Sequence, residues 1–263
     1  MTDHPGWLVS DTGDMYRAVA PGTTPALITA RPTGLGRDMV IDLGGAGARV
    51  DYTDPGALTG PDDLTGPLRN MGVVARVANP SLWDALTAAI MRQVIQPSHA
   101  RARYVRFCTT HGTSVTGRGV TASGFPSPTR ISAMTDDQFQ LAGAAYPAPG
   151  LRAAARAYLN RREEWLKAPA DELITALQEI PQVGPWTART AVADYTGRFD
   201  LYPYTDLPLQ TWARQLNPAR SWPDGAVAFR TAWEDIAADQ LSAWTQLTLA
   251  WGLRYGTPTR AVP

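Results

Sequence analysis

Two stretches of the 263-residue chain carry residue types at spacings that suit chemistry. The first is Glu179-Ile180-Pro181-Gln182-Val183-Gly184-Pro185-Trp186-Thr187-Ala188. A helix is expected to end near Ile180, a Pro–x–Val–Gly turn follows, and Pro185 stands where a new helix accepts proline at its first position. Such a turn leaves backbone N–H groups pointing outward at a helix N-terminus, which suits a phosphate. An ordinary pair of packed helices joined by a Pro/Gly turn has the same texture. The second stretch is Tyr202-Pro203-Tyr204-Thr205-Asp206-Leu207-Pro208-Leu209, with Asp206 lying 22 positions after Gly184. An aspartate there reads first as a helix N-cap, and it is also a carboxylate of the type used as a general base or to stabilise positive charge.

The elements that must position these stretches are mostly helical. Apolar residues recur at three- and four-residue spacing over Leu82–Ile95, Arg101–Thr110, Asp136–Ala145, Leu151–Leu166 and Asp171–Glu179. The same pattern covers Trp186–Tyr195, Asp206–Leu216, Gly225–Ala237 and Leu241–Leu253. Upstream of Asn79-Pro80 the texture differs: Gly, Pro, Asp and Thr abound, with short β-leaning runs at Trp7–Val9, Pro25–Thr29, Asp38–Leu43 and Ala48–Tyr52. Turn signals such as Pro21-Gly22 and Gly44-Gly45 separate them. The expected fold is therefore mainly α with a small β-rich N-terminal domain over 1–80 and a helical region over 81–263. Of the nine tryptophans, Trp83, Trp165, Trp212, Trp233 and Trp244 are expected to be core.

Composition narrows the class. A single cysteine, Cys108, excludes a disulfide framework, a four-cysteine zinc site or an Fe–S cluster carried by this chain. His99 and His111 are too isolated to read as metal ligands, and no metal or cofactor is assigned. No run approaches the ~18 apolar residues of a membrane span, and Met1–Gly6 lacks the features of a signal peptide. A cytoplasmic, nucleoid-associated monomer is expected. Formal net charge is zero, which argues against indiscriminate coating of polyanions. The charge is unevenly spread, with nine Asp against six Arg in residues 1–80 and a compensating excess of Arg beyond. Arg101, Arg103, Arg106, Arg152 and Arg156 recur on expected helices as candidates for backbone contacts, though each taken singly reads more readily as solvated surface.

Hairpin, tryptophan and distant aspartate together resemble the helix–hairpin–helix DNA glycosylase superfamily, most closely its 3-methyladenine DNA glycosylase II branch. The residues that match in type and spacing are Pro181, Val183, Gly184, Trp186, Thr187, Ala188 and Asp206, and the resemblance spans roughly residues 80–255. It implies the helix–hairpin–helix glycosylase fold, with two helical subdomains flanking an active-site cleft and duplex DNA containing damaged bases as partner. Gln182 departs from the family's first hairpin glycine, and Arg92 stands where a small residue is usual.

The resemblance assigns roles. Asp206 would stabilise the oxocarbenium-like sugar and activate water as the N-glycosidic bond breaks. Trp186 and Trp251 would stack on an extruded base across a pocket that favours cationic N-alkylpurines such as 3-methyladenine or 7-methylguanine. Tyr202 and Tyr204 either line that cleft or cover the loop. Gln182, Val183, Gly184 and Thr187 of the hairpin would contact DNA, with Gln93 and Val94 at the wedge that offsets extrusion. Bifunctional members carry a lysine where this chain has Trp186, and the only lysine here is Lys167, so base release without strand cleavage is expected. Two further readings stay open: a glycosylase for bulky or specialised adducts, and a non-catalytic helix–hairpin–helix DNA-binding protein.

Overall fold

A computed structural model describes residues 3–20, 25–33 and 39–257. The turn signal Pro21-Gly22 and the start of the run at Asp38 lie outside the described residues. Packing divides the chain into two compact units: Met1–Asp3 with Val50–Val77 and Gly197–Pro263, and His4–Arg49 with Ala78–Thr196. This differs from the linear division at residue 80. The chain leaves the N-terminal sheet at Arg49, pairs a strand hairpin with the C-terminal helices, and returns at Ala78, a path that local composition does not record.

The His4–Arg49 and Ala78–Thr196 unit, here the hairpin unit, opens with strands β1 (Leu8–Val9), β2 (Met15–Val19), β3 (Ala26–Pro32) and β4 (Met39–Asp42). They form one antiparallel sheet in sequence order, with Tyr16 opposite Thr29 and Ala30 opposite Ile41. The other unit, the aspartate unit, contributes β5 (Val50–Thr53), α1 (Asp62–Arg69) and β6 (Val74–Val77), with β5 and β6 antiparallel.

The chain then re-enters the hairpin unit. Its α2 (Leu82–Met91) is buried on all sides, as expected of a helix rich in Ala, Leu and Ile at the centre of a unit. Ser81 caps it, its hydroxyl accepting from the Asp84 N–H at 3.3 Å. Around it lie α3 (Pro97–His111), the strand pair β7 (Thr113–Gly117) and β8 (Val120–Gly124), α4 (Pro128–Ala133), α5 (Asp136–Leu141), α6 (Ala148–Trp165), α7 (Ala170–Gln178) and α8 (Pro185–Thr196). The β7–β8 pair and α4 were not expected from sequence. Cys108 is buried in this core, and burial raises its thiol pKa, so it behaves as a small apolar side chain.

A buried polar centre ties α2 to the N-terminal sheet. Asp84 pairs with Arg17 of β2, lies 3.1 Å from His4 Nε2, and accepts from Tyr104 Oη at 2.5 Å and Asn79 Nδ2 at 3.0 Å. Such a charge is tolerable only because it is paired and hydrogen-bonded.

The aspartate unit finishes with α9 (Leu207–Leu216), α10 (Ala226–Ala237) and α11 (Leu241–Tyr255). Its core gathers Phe199, Phe229, Trp233, Trp244 and Leu247 with Leu64 and Leu68 of α1. Among the described residues no helix is long and apolar enough to cross a membrane.

Candidate active site

In the hairpin unit, the turn between α7 and α8 is built residue by residue. The Val183 N–H donates to the Ile180 carbonyl at 3.0 Å, closing a four-residue turn with Pro181 second and Gln182 third. Gln182 has φ +69°, the left-handed geometry a type II turn requires at its third position and normally gives to glycine. A side chain is accommodated because Gly150 of α6 lies opposite: a Cβ there would come within 3.3 Å of Gln182 Oε1. Gly184 then accepts the first bond of α8, from Ala188 N at 3.0 Å, with Pro185 as the first helical residue. Val183 is buried and anchors the turn, while Gly184 and Pro185 are exposed. A Cβ at Gly184 would meet nothing within 4 Å. The first-turn N–H groups of α8 thus emerge where the chain leaves room for an anion.

Behind the turn, α2 stops four residues short of the expected Ile95. Val94 has φ +52° and is 89% exposed, an uncommon state for a β-branched residue. Gln93, one residue earlier, donates through Nε2 to the Gln182 carbonyl at 2.8 Å and to Thr187 Oγ1 at 2.8 Å. These two bonds fasten the loop after α2 to the hairpin. Thr187 is buried, with its hydroxyl accepting from Gln93, which ties its side chain to the loop after α2. A concavity of about 650 Å³ lies here, lined by Gln93, Val94, Tyr146, Gln182, Trp186 and Thr187. Trp186 is half-buried, with the Arg92 guanidinium 5.8 Å from its ring centroid. Tyr146, 63% exposed, was not singled out by sequence reasoning; its position just before a proline-led helix carries no distinctive signal.

In the aspartate unit, Asp206 is 3% exposed at the start of α9 and accepts from the Leu209 N–H through Oδ2 at 3.2 Å. The capping role read from sequence is realised, and the helix N-terminus favours negative charge at that carboxylate. A backbone bond from Asp206 N to the Pro203 carbonyl and one from Gln210 Nε2 to the Tyr204 carbonyl hold the preceding loop. Tyr202 stacks on Phe199 at 5.9 Å, packed on the core. The Tyr204 ring lies beneath the Arg230 guanidinium at 5.0 Å. Trp251 is half-buried on α11 against the same core, 6.0 Å from Tyr255. Gly252 lets α9 approach: a Cβ there would fall 1.9 Å from the Trp212 ring. Trp186 and Trp251 thus belong to different units.

Of the arginines considered for DNA, three have partners within the hairpin unit. Arg101 donates to the Trp7 carbonyl, Arg106 to the Leu141 carbonyl at 2.5 Å, and Arg152 to Asp136 at 2.5 Å and the Met134 carbonyl at 2.9 Å. Among the described residues no three His, Cys, Asp or Glu side chains gather to hold a metal.

No family model and no curated protein matches the sequence. Solved structures do match in fold. A 3-methyladenine DNA glycosylase from Archaeoglobus fulgidus superposes with TM-score 0.75 at 16% identity, covering 97% of this chain and 91% of that one. MBOgg1 bound to a low-affinity DNA ligand gives TM-score 0.75 at 16% identity, covering 97% and 90%. The Clostridium acetobutylicum 8-oxoguanine glycosylase/lyase bound to duplex DNA gives 0.70 at 14% identity, covering 96% and 89%. The fold is that of the helix–hairpin–helix DNA glycosylases.

Proposed function

We propose that this protein is a monofunctional DNA N-glycosylase that extrudes an alkylated purine from duplex DNA and hydrolyses its bond to C1′. The observation that carries the reading is Asp206: a buried carboxylate capping α9, at the spacing from Gly184 that the sequence resemblance gives to the catalytic aspartate. The hairpin amides hold the strand through phosphates, and exposed Val94 takes the space the base vacates. As the bond breaks, its electron pair leaves with the base and positive charge grows over C1′ and O4′. Asp206 stabilises that charge and accepts a proton from the water whose oxygen attacks C1′, giving an abasic sugar on an intact strand. Trp186 occupies the hairpin position where a Schiff-base lysine would stand, so no amine is offered there to C1′.

Two substrate classes suit this chemistry. Cationic N-alkylpurines, 3-methyladenine and 7-methylguanine, are the reading from sequence. Bulky or specialised adducts are the second reading, favoured by Gln182 and Arg92 standing where the resemblance gives small residues. The test is chromatography of free base released from randomly methylated and etheno-adducted duplex DNA, with borohydride added to trap any Schiff base. Release of a modified base with intact strands and no trapped complex is expected. A folded protein that binds these duplexes and releases no base would instead be a non-catalytic DNA-binding protein.

A further inference from the structure

We propose that the concavity beside the hairpin is a seat for the base left unpaired on the complementary strand, with Tyr146 as its stacking platform. The inference rests on the glycosylase reading and extends it from the extruded nucleotide to its former partner. All six residues that line the concavity, Gln93, Val94, Tyr146, Gln182, Trp186 and Thr187, belong to the hairpin unit. The backbone around Tyr146 is anchored. Ala144 and Ala148 are buried, the Ala144 N–H donates to the Phe139 carbonyl at 2.8 Å, and the Ala148 N–H closes a turn onto the Ala145 carbonyl at 3.4 Å. Pro147, also buried, follows Tyr146 directly. The tyrosine side chain nevertheless stays 63% exposed. Among the described residues its ring has no aromatic or cationic partner and its hydroxyl no hydrogen bond. A ring kept out of the core on a fixed backbone suits stacking on a planar partner.

The rest of the lining supplies groups for a base edge. A Cβ on Gly150 would stand 3.3 Å from Gln182 Oε1, so this exposed carboxamide leans on the first turn of α6, the helix that Tyr146 precedes by two residues. A carboxamide both donates and accepts. Gln93 uses its two Nε2 hydrogens on the Gln182 carbonyl and Thr187 Oγ1, which leaves it an acceptor oxygen for a ligand. Unpaired bases are held in this way, the face stacked on an aromatic ring and the edge hydrogen-bonded. A phosphate would draw instead on lysine or arginine, and the lining holds neither. Val94 indicates which base is meant. Its side chain, 89% exposed, borders the same concavity and, in the glycosylase reading, fills the space that the damaged nucleotide vacates. The base facing that gap is the complementary one, which loses its partner at the moment of extrusion. A seat beside the wedge binds it and opposes re-closure of the pair, so extrusion costs less. Every base has a π face, and the seat therefore serves orphan bases of any identity.

The test uses duplexes with a tetrahydrofuran abasic analogue at the lesion position, so that no extruded base is present to touch the protein. The opposite position carries cytosine, thymine or a second tetrahydrofuran, and thermal melting checks that each variant is folded. The wild type is expected to bind the cytosine and thymine duplexes more tightly than the doubly abasic one. Tyr146→Ala should weaken the first two about tenfold to a hundredfold and leave the doubly abasic duplex unchanged. Tyr146→Phe, which keeps the ring, should hold the wild-type values. An equal loss on all three duplexes would make Tyr146 a contact to the strand or a support of the fold, and would overturn the proposal. No loss on any duplex overturns it too, as does a wild type indifferent to the presence of the orphan base. A wild type that binds these duplexes no better than intact DNA, and releases no modified base, fails the glycosylase reading itself, and it does so before any variant is compared.

Discussion

Asp206 has two jobs in the reading above, and one substitution separates them. As N-cap it accepts from the Leu209 N–H at 3.2 Å, a role asparagine fills about equally well. Asp206→Asn should therefore change stability by less than about 0.5 kcal/mol. Asp206→Ala removes the cap acceptor and costs about 1 kcal/mol, a fall of about 2–4 °C in Tm for a chain of this size. Catalysis separates the two side chains of the pair Asp and Asn completely. Asparagine carries no charge to stabilise the sugar cation and takes no proton from water, so base release should fall about 10²–10⁴-fold. At about 1.4 kcal/mol per decade that is roughly 3–5 kcal/mol of transition-state stabilisation. Single-turnover release at saturating protein reads the chemical step apart from DNA binding, and thermal unfolding of the same samples reads the cap. An Asn variant as stable as wild type that releases base within about tenfold of the wild-type rate would refute the role given to Asp206. A rate lost in proportion to Tm in both variants would reduce Asp206 to its cap.

Three further outcomes are expected. Val94→Gly relieves a left-handed β-branched residue that is 89% exposed, so it should stabilise the fold by about 1 kcal/mol while lowering base release; paired melting and release assays check both signs. Gly252→Ala drives a Cβ into the Trp212 ring of α9 and should cost about 1–3 kcal/mol in denaturant unfolding. Stability should fall with acidity through the buried centre on α2. Burial pushes the Asp84 carboxyl up, but neighbouring His4 and Arg17 and the Tyr104 hydroxyl bring it well below its ordinary 3.8. Its contribution is thus full above pH 3.8 and is lost as pH falls through the folded value. His4 is held below 6.5, by burial first and then by Arg17, so the unfolded chain binds its proton more readily and stability declines as pH drops below 6.5. Thermal unfolding from pH 8 to pH 3 checks this, and a Tm flat across that range would contradict the pairing.

Much of the fold was legible because helices buried on one face repeat their apolar residues. The windows at Leu151, Asp171, Trp186 and Leu241 correspond to α6, α7, α8 and α11 within a few residues. Elements that defy propensity were not legible. Helix α1 contains Gly66 and Pro67, both poor helix formers, and forms because Leu64, Thr65 and Leu68 are buried. The β7–β8 pair did leave a signal, Thr and Val alternation around Arg118-Gly119, but one too polar to stand out, since Ser114 bonds Ser123 and Thr116 bonds Thr121 in the open. The division into units follows from where β5 and β6 pack, which is non-local information. Within the site, the turn and the cap at Asp206 were readable from residue types, while joining them into one site took the family resemblance. The Gln93 bridge was not, because Gln182 and Thr187 lie 89 and 94 residues away from it in sequence.

Where local rules fail is itself informative. Four non-glycine residues with positive φ occur among the described residues: Val94, Arg118, Gln182 and Ala238. Two of the four, Val94 and Gln182, line the same concavity. Each costs on the order of 1–2 kcal/mol relative to an ordinary backbone state, and glycine would have removed that cost at either position. Strain of this kind persists when the surroundings over-determine it. The determinants here are visible: Gln93 binds the Gln182 carbonyl and Thr187, Gly150 makes way for the Gln182 side chain, and Pro97 starts the next helix just beyond Val94. The strain at Gln182 thus fixes the turn that leads into α8, and the strain at Val94 holds an apolar side chain exposed to solvent. A stability-driven sequence would relax both. On the proposed reading the apolar edge enters the duplex beside the phosphate seat, and the Gln93 bridge makes those two features one body.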